Sequence, residues 1–363
     1  MSLQKLILKN FRLFDQKQLS FSKQTTLILG PNASGKTNIM EAIYLLATGK
    51  SFRASREVEM IKNGQDIAFV SAKVDSNTQL EIILTTGEIQ GKKVRKKQYK
   101  VNGVAKRWKD FVANLTCVLF RPEDIDIILG SPSIRRNYLD LVLESIDWQY
   151  RACNLTYQKG LRQRNRLLDR IRQGEAQFSQ LTFWNQLLIK NGSLVSQKRA
   201  EMIDFFNQFL ANCDRLYQEK RKVELVYDKS IISQQRLEKY QPAELALGAT
   251  LVGPHRDDII FKVQPCRETA DNKFSDNRNL SLYGSRGEQR MAIFSLKLAE
   301  VEFILNKTKQ RPILLLDDIF SELDKSHRQQ IITIIPQQQT IITATDNDFV
   351  DKKLNDTINK IIF

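Results

Sequence analysis

Long apolar segments and clusters of cysteine or histidine are missing from this chain of 363 residues. No apolar run approaches the ~18 residues that a helix needs to cross a membrane. The first residues, Met1–Lys5, show no apolar signal-peptide stretch. The four cysteines are far apart, form no C-x-x-C pair and are joined by only two histidines, so neither a disulfide framework nor a zinc site is predicted. We therefore expect a cytoplasmic protein with free thiols and no membrane partner.

Acidic residues are too few to balance the basic ones. Lysine and arginine total 56 against 41 aspartates and glutamates, which leaves a formal net charge of +15. Such an excess favours a polyanionic partner. The charge is concentrated between Gly91 and Lys109, where there are nine basic residues and no acidic one, with Tyr99 and Trp108 among them.

An Asn102-Gly103 turn signal predicts that this basic segment forms a hairpin. A basic hairpin with interspersed aromatic residues can follow a nucleic-acid backbone. The predicted contact residues are Lys92, Lys93, Arg95, Lys96, Lys97 and Lys100. An alternative stays open, in which the lysines are solvated and only protect an edge hairpin from aggregation.

A second basic run lies in a stretch of helical composition and is opposed only by Asp169. It comprises Lys159, Arg162, Arg164, Arg166, Arg170 and Arg172. Phosphate contact and plain solvation are both open for this run.

Residues 30–37 follow the phosphate-loop pattern G-x-x-x-x-G-K-[ST]. The preceding Thr26–Leu29 is an apolar, β-branched run that predicts a buried strand, and Asn38–Leu46 has helical composition. In that setting the N–H groups of the loop and the helix N-terminus face phosphate oxygens. Lys36 is predicted to reach the β- and γ-phosphates of ATP, and Thr37 to bind Mg²⁺. The predicted ATP-binding residues are Gly30, Pro31, Asn32, Ala33, Ser34, Gly35, Lys36 and Thr37.

Ile313–Leu316 is an apolar strand pattern that ends in two carboxylates, Asp317 and Asp318. An apolar strand followed by Asp-Asp predicts a Walker B element beside the phosphate loop. Asp317 would hold the Mg²⁺ shell, and Asp318 would orient or deprotonate the attacking water. With Lys36, these aspartates form the predicted catalytic set.

Ser285, Gly287 and Gln289 match the S-x-G-x-Q core of the signature motif of ATP-binding-cassette proteins, directly before a helical run. A serine, an open glycine backbone and a helix N-terminus predict a second anion site. Further on, Ser321–Asp324 fits a D-loop and supplies Asp324. Ile341–Asp346 is predicted as the last strand, and Thr345 at its polar end is assigned as the switch residue that senses the γ-phosphate.

The chain divides into three segments of different pattern. Residues 1–132 are dominated by short strand signals and are predicted to form the N-terminal half of an ATPase domain. Residues 133–240 show helical periodicity and predict an arm or second lobe, although packing of these helices into the main core stays open. Residues 241–363 alternate strand and helix signals and predict the C-terminal half of the ATPase domain. The strands predicted in the first segment are Leu6–Leu8, Thr25–Leu29, Ala68–Val74, Leu80–Thr85, Lys97–Val101 and Thr116–Phe120.

The motif order of phosphate loop, long insertion, signature, Walker B and D-loop resembles the cassette ATPases of the SMC kind, with an insertion too short for a long coiled coil. Other stretches along nearly the whole chain resemble the RecF family. They are Asn10–Arg12, Phe120–Asp124, Gly130–Pro132, Arg135-Arg136, Gln163–Asn165, Leu167-Leu168, Gly253–Asp258 and Ser285–Arg290. The resemblance implies an α/β fold: an SMC/ABC-type P-loop ATPase head of mixed sheets with flanking helices, and a helical second lobe.

The resemblance also implies a bacterial mediator of recombinational DNA gap repair. It implies weak DNA-stimulated ATP hydrolysis, binding to double-stranded, single-stranded and gapped DNA, and cooperation with RecO and RecR in loading RecA. Asp318 stands where many cassette ATPases carry the longer Glu, so slow turnover is expected, and the Gln of the usual Q-loop has no identified counterpart.

A signature motif does not normally reach the nucleotide of its own head, so we expect an ATP-dependent homodimer with two composite sites. Such a dimer would clamp DNA until hydrolysis releases it. Three alternatives stay open. They are a nucleotide-binding subunit of another ABC-type machine without DNA specificity, a P-loop small-molecule kinase, and a structural DNA-binding protein that holds ATP without hydrolysing it.

Overall fold

A computed structural model describes residues 2–75, 77–212, 221–265, 278–322, 328, 335–345 and 358–363. Its strands are β1 Leu3–Phe11, β2 Phe14–Ser20, β3 Thr25–Leu29, β4 Ile67–Val74, β5 Thr78–Thr85, β6 Glu88–Ile89, β7 Lys92–Lys93, β8 Lys97–Val101, β9 Val104–Lys106, β10 Cys117–Phe120, β11 Arg221–Asp228, β12 Asp258–Pro265, β13 Arg278–Asn279, β14 Ile313–Asp317, β15 Thr340–Ala344 and β16 Asn359–Ile362.

The α-helices are α1 Lys36–Thr48, α2 Trp108–Val112, α3 Asp126–Leu129, α4 Pro132–Ile146, α5 Trp148–Arg172, α6 Leu181–Ala211, α7 Gln234–Leu247, α8 Leu280–Tyr283 and α9 Arg286–Thr308. Short 3₁₀ turns lie at Glu57–Met60, Pro122–Ile125, Phe178–Gln180, Pro254–Arg256, Ile319–Glu322 and Ile335–Gln337. Within the described residues, no helix has the length and apolar character that crossing a membrane requires.

The chain divides into two compact units: Met1–Asp124 with Glu300–Phe363, and Ile125–Ala299. The first unit contains an antiparallel sheet of order β2-β1-β4-β5-β8-β9 and a parallel sheet of order β10-β14-β15-β3-β16. Helix α1 belongs to one hydrophobic cluster with residues of both sheets. Strands β3 and β14 are almost completely buried and mostly apolar, as parallel strands covered on both faces are.

Helix α1 stops where the backbone turns left-handed at Gly49, whose φ is 72° and whose N–H donates to the carbonyl of Leu45. A Cβ at this position would lie 2.3 Å from Nε1 of Trp108. That indole donates to the carbonyl of Thr48 at 2.9 Å, and Tyr99 packs against the same core. The two aromatic residues of the basic segment therefore anchor it to α1. Both rings are partly buried against this core.

The second unit is built on helices α4 to α7 and the antiparallel sheet β11-β12-β13. Helices α5 and α6, of 25 and 31 residues, form a hairpin. At 1.5 Å per residue they are about 37 and 46 Å long. This division into two units differs from the three predicted segments. Residues 241–299 were predicted to belong to the ATPase domain, but they fall in the helical unit. The physical reason is that β12 pairs along its whole length with β11.

Two of the stretches that resemble the RecF family, Gln163–Asn165 and Gly253–Asp258, contribute to the polar interior of this second unit. Arg199, only 3% exposed, donates to Asp140 at 2.7 Å and to Asp257 at 3.0 Å. Arg164 is 1% exposed and pairs with the fully buried Glu244 at 2.7 Å. Buried charges of this kind are stable only when they are paired and hydrogen-bonded. Losing one partner is costly, so these motifs are explained by the packing of the unit.

Cys117 and Cys153 form no disulfide bond in the described part of the chain. Cys213 and Cys266 lie outside the described residues.

Candidate nucleotide site

Parallel pairing of β14, β15 and β3 brings residues that are far apart in sequence to one edge of the sheet. Asp317 is the Cα partner of Thr343, and Thr343 is the partner of Ile28. The phosphate loop follows β3, and Asp317 ends β14. Because parallel strands share one carboxyl edge, the loop and this carboxylate converge, as expected for a ligand site of an α/β sheet.

The phosphate loop depends on left-handed backbone at two positions, Ala33 with φ 64° and Gly35 with φ 101°. At Gly35 a Cβ would lie 2.6 Å from the ring of Phe14, so glycine is required for both conformation and space. The ammonium of Lys36 donates to the carbonyls of Gly30 and Pro31 at 2.6 and 2.9 Å. The Oγ of Ser34 is buried and has no hydrogen-bond partner in the described part of the chain.

Asp317 is held by two threonines from different elements. Its Oδ1 accepts from Oγ1 of Thr343 at 2.7 Å and from Oγ1 of Thr37 at 3.3 Å. Burial raises the pKa of Asp317, and the negative charges of Glu123 and Asp318 raise it further, while the two threonine hydrogen bonds oppose that shift. Thr343 also accepts from the backbone N–H of Asp318 at 3.0 Å, and Asp318 has φ 52°. Thr343 thus ties both carboxylate positions to β15.

A cavity of about 360 Å³ lies over these groups. Its lining residues, all from the first unit, are Leu13, Asn32, Ala33, Gly35, Lys36, Thr37, Asn38, Arg53, Asp317 and Asp318. The volume lies within the usual range for small-molecule sites. Lys36, Thr37, both aspartates and part of the loop therefore line one cavity, whereas Gly30, Pro31 and Ser34 are not among its lining residues.

Arg53 lines the cavity, and the sequence analysis did not identify it. Its turn is set by Ser51, whose Oγ accepts from the N–H groups of Arg53 and Ala54 at 2.9 and 2.7 Å. The same hydroxyl donates to Oε1 of Glu41 at 2.5 Å. The sequence did contain a pattern that could have indicated Arg53. Glu41 is a charged residue inside an apolar helix, and Ser51-Phe52-Arg53 comes just after the helix ends. The turn adds a cation to the rim of a phosphate-binding cavity.

The donor groups around Asp317 suit Mg²⁺. A threonine hydroxyl and a carboxylate within 3.3 Å of each other supply hard oxygen ligands. Mg²⁺ usually takes one or two protein oxygens, and the remainder from water and phosphates. Among the described residues, no cluster of three or more histidine, cysteine or acidic side chains forms a metal cage.

The signature residues begin helix α9. The N–H of Glu288 donates to Oγ of Ser285 at 3.2 Å, and Oε2 of Glu288 accepts from the N–H of Ser285 at 2.7 Å, which is a capping box. Ser285 and Gly287 are exposed, and a Cβ at Gly287 would meet nothing within 4 Å. Gln289 is different: it is 4% exposed, and its Nε2 donates to the carbonyls of Leu280 and Gly284. Its side-chain nitrogen thus supports the loop from inside.

The residue that the motif predicts as the γ-phosphate sensor, Thr345, is not the threonine of this segment that is hydrogen-bonded to Asp317. Thr345 lies just after β15 and is exposed, whereas Thr343, two residues earlier and fully buried, contacts Asp317. Asp324 of the predicted D-loop lies outside the described residues. Strand β10 pairs with β14, and the turn after it carries Glu123, whose charge acts on Asp317.

The predicted basic hairpin divides into two groups of residues. Lys92, Lys93, Arg95 and Lys96 are exposed. Lys97 pairs with Glu57 at 2.9 Å, and Lys100 pairs with Glu81 at 3.2 Å. The Asn102-Gly103 turn joins β8 to β9, with φ of 51° and 76°. These ion pairs partly neutralise Lys97 and Lys100. The positive charge of the segment is therefore presented to solvent mainly by Lys92, Lys93, Arg95 and Lys96.

The second basic run follows helix α5. Arg164 is buried against Glu244, so its interpretation as a surface contact is corrected: it faces the interior. Arg170 and Arg172 lie near Glu175 and Asp169 at 3.8 and 3.0 Å. Lys159, Arg162 and Arg166 are exposed and lie at i, i+3 and i+7, on one stripe of the helix.

Residues 2–363 match the family described as the RecF/RecN/SMC N terminal domain. A solved structure of an SMC head bound to the C-winged helix domain of ScpA has a TM-score of 0.52 at 17% identity, covering 96% of this chain and 90% of its own. With the phosphate loop, Walker B strand and signature helix, this fold defines an SMC-type ATPase head.

Closer similarity narrows the class. A DNA replication and repair protein RecF from Lachnoclostridium phytofermentans is 35% identical over 100% of this chain and 98% of its own length. Two solved structures, described as the recombination mediator protein RecF-ATPrS and RecF-ATP in the RecFOR pathway, have TM-scores of 0.82 and 0.81. Both are 30% identical and cover 96% of this chain, and 94% and 93% of their own. The chain belongs to the RecF family.

Proposed function

We propose that this protein is a weak, DNA-stimulated ATPase that closes as an ATP-dependent homodimer on duplex and gapped DNA during recombinational gap repair. In this proposal it acts in the cytoplasm with RecO and RecR to assist RecA loading, and slow hydrolysis times its release. The observation that carries the proposal is the exposed Ser285, which caps helix α9, two residues before an exposed Gly287 whose backbone has open space around it. The names of its relatives, which place RecF in DNA repair and in the RecFOR pathway, support the DNA part.

The nucleotide would lie in the cavity above β3 and β14. Lys36 would exchange its two loop carbonyls for β- and γ-phosphate oxygens, because a charged acceptor makes the stronger hydrogen bond. Thr37 and Asp317 would hold Mg²⁺, which neutralises phosphate charge when it is bound. Asp318 would orient the attacking water, with its backbone fixed by Thr343. Arg53 would add positive charge at the cavity rim.

The second half of each site would come from another copy of the chain. Every residue that lines the cavity belongs to the first unit, whereas Ser285 and Gly287 belong to the second. A partner's exposed helix N-terminus, with its hydroxyl and open glycine, is suited to a γ-phosphate. A twofold arrangement would create two such sites, and ATP binding would then favour the dimer.

Two basic surfaces would carry the DNA. One is the exposed group Lys92, Lys93, Arg95 and Lys96, and the other is the α5 stripe of Lys159, Arg162 and Arg166. Neutralising phosphates with such residues releases counterions, so affinity should fall steeply with salt. The pairs at Lys97 and Lys100 are the observation that favours the alternative, a nucleotide-binding subunit of an ABC-type machine without DNA specificity.

Sedimentation with ATP and Mg²⁺ tests the dimer. The wild type should shift from monomer to dimer, and Ser285→Arg should abolish the shift because a long cation occupies the anion site. Ser193→Arg, at an exposed position of α6, is the matched control and should dimerise normally. A wild type that stays monomeric, or a Ser285→Arg variant that dimerises like the control, contradicts the proposal.

The rate of release from DNA distinguishes an ATPase whose hydrolysis controls release from a structural protein that only holds ATP. Lys36→Arg should still bind ATP but lose ATP-dependent release from a gapped duplex, measured by fluorescence anisotropy. An unchanged residence time would favour a structural protein that holds ATP. Wild-type binding that is absent, or insensitive to salt, would favour the nucleotide-binding subunit without DNA specificity.

A further inference from the structure

The solvent face of the six-stranded sheet carries a second cavity of about 580 Å³, unrelated to the nucleotide site. It lies across β1, β4 and β5, and the turn between β8 and β9 forms part of its rim. Its size would admit a ligand larger than a single ion. The sequence patterns gave no indication of this site.

Two lysines face each other in this groove. Lys5 of β1 and Lys73 of β4 are direct Cα partners on neighbouring antiparallel strands, and both line the cavity. Like charges at directly opposed positions destabilise a sheet. In the part of the chain that the structure describes, neither lysine forms an ion pair, and none of the residues lining the groove is acidic.

Two carboxylates, one directly after β4 and one on β5, already have partners in the described residues. Asp75, at the end of β4, accepts from the N–H of Ser2 at 2.7 Å and from its hydroxyl at 3.1 Å. Glu81 of β5 pairs with Lys100 at 3.2 Å. In the described residues neither carboxylate forms an ion pair with Lys5 or Lys73, and an anion from outside the chain would relieve the repulsion between the two lysines.

Neutral hydrogen-bonding groups complete the groove in a fixed geometry. The N–H of Gln79 donates to Oδ1 of Asn102 at 2.8 Å, and the N–H of Asn102 donates back to the carbonyl of Gln79 at 2.8 Å. This exchange orients the Asn102 side chain so that its NH₂ group stays available as a donor. The hydroxyl of Thr78 lines the same cavity. Two ammonium groups with amide and hydroxyl donors suit the charge and hydrogen-bonding needs of phosphate oxygens.

We propose that the Lys5/Lys73 groove is a phosphate-binding site, separate from the phosphate loop, that takes the phosphate groups of a nucleic-acid backbone. Its location does not depend on the clamp, but the choice of DNA as the phosphate source rests on the proposed function. A free phosphate or nucleotide offers the same chemistry, so the test must separate the two sources.

Lysine footprinting on the full-length chain reads the site directly. Acetylation of Lys5 and Lys73 is measured by mass spectrometry without ligand, with inorganic phosphate, and with a short duplex in the absence of ATP. Exposed Lys23 is the internal reference. Protection of both lysines by the duplex alone supports the proposal with DNA as the source. Protection by inorganic phosphate supports the site and assigns it to free phosphate. Protection by neither overturns it.

A matched pair of variants gives the second measurement. Lys5→Gln/Lys73→Gln should reduce the slope of log affinity against log salt by about 1 to 2, since each lost phosphate contact changes it by about 0.9. Lys23→Gln/Lys239→Gln removes the same charge at exposed positions outside the groove and should leave the slope unchanged. Equal slopes for the two variants contradict the groove while leaving DNA binding intact. If the wild type binds no duplex, the proposed function fails, and the inorganic-phosphate footprint alone decides the groove.

Discussion

The guanidinium of Arg12 donates two hydrogen bonds to the carboxylate of Glu41, from Nε to Oε2 at 2.7 Å and from Nη2 to Oε1 at 2.6 Å. Glu41 lies inside helix α1 with no exposed side-chain surface, while Arg12 keeps 21% exposure. Nη1 of the same guanidinium donates to the backbone carbonyl of Glu59 at 2.6 Å. Arg12 therefore neutralises Glu41, the same carboxylate that accepts from Ser51 in the turn before Arg53.

Arg12→Ala should lower the free energy of unfolding by ~3–5 kcal/mol, because it leaves the buried Glu41 charge without its partner. Urea unfolding followed by circular dichroism measures the change. Lys62→Ala breaks an ion pair with the largely exposed Asp15 and should cost under ~1 kcal/mol. Equal losses in the two variants would show that the Arg12–Glu41 pair has no special weight.

Arg53→Ala should weaken ATP binding by about tenfold or more, since a hydrogen bond to a charged group is worth ~1.5–3 kcal/mol. Isothermal titration calorimetry with ATP gives the dissociation constant. Arg56→Ala is the control, because Arg56 is three residues further on, does not line the cavity and pairs with Glu59 at the surface. Identical ATP affinities for the two variants would remove Arg53 from the site.

Thr343→Val keeps the side-chain volume but removes the donor to Asp317 and the acceptor of the Asp318 N–H. Loss of a group that orients a metal ligand costs about 10–100-fold in metal affinity, so the Mg²⁺ concentration for half-maximal ATPase should rise by about that factor. Thr345→Val, two residues away and exposed, should leave the Mg²⁺ requirement nearly unchanged. The opposite ranking would support Thr345 as the switch residue.

His255 makes stability depend on pH. Its Nδ1 accepts from the hydroxyl of Tyr157 at 2.7 Å, and its Nε2 donates to the carbonyl of Thr250 at 2.9 Å, an arrangement that needs the neutral ring. Burial is the main cause that lowers the pKa of His255 to about 4, and the nearby arginines add to it. The unfolded chain, with an ordinary histidine pKa near 6.5, therefore binds more protons between pH 6.5 and pH 4.

Because the pKa is lower in the folded state, this stability is present above pH 6.5 and is lost as the pH falls towards 4. Between pH 7 and pH 5 the loss from this group is about 2 kcal/mol. Urea unfolding at the two pH values should show a smaller loss for His255→Gln than for the wild type. A His255→Gln variant with an unchanged pH dependence would contradict the assignment.

Local patterns were sufficient for much of the fold and the nucleotide site. The strand, loop and helix around Lys36 form as predicted, and so does the hairpin turn at Asn102-Gly103. These features depend on glycine and asparagine at left-handed positions and on the alternation of apolar residues, which act over a few residues. The predicted strand at Lys97–Val101 has the same bounds as β8.

Other features depended on strands and helices that are distant in sequence. Thr343 reaches Asp317 only because β14 and β15 pair in parallel with a particular register. Arg164 and Arg162 look alike in a basic run, but one is buried against Glu244 and the other is exposed, since packing covers one face of α5. Charge counts also hid the pairing of Lys97 with Glu57.

The sequence by itself determined the class of this protein. Phosphate loop, signature and Walker B residues are each short motifs whose chemistry follows from residue type and spacing. Tertiary structure decided which side chains surround them and which charges stay free. Arg53 at the cavity, Thr343 behind Asp317, and Lys5 opposite Lys73 arise from strand register and side-chain burial. Those are properties of contacts between distant segments, and no local pattern specifies them.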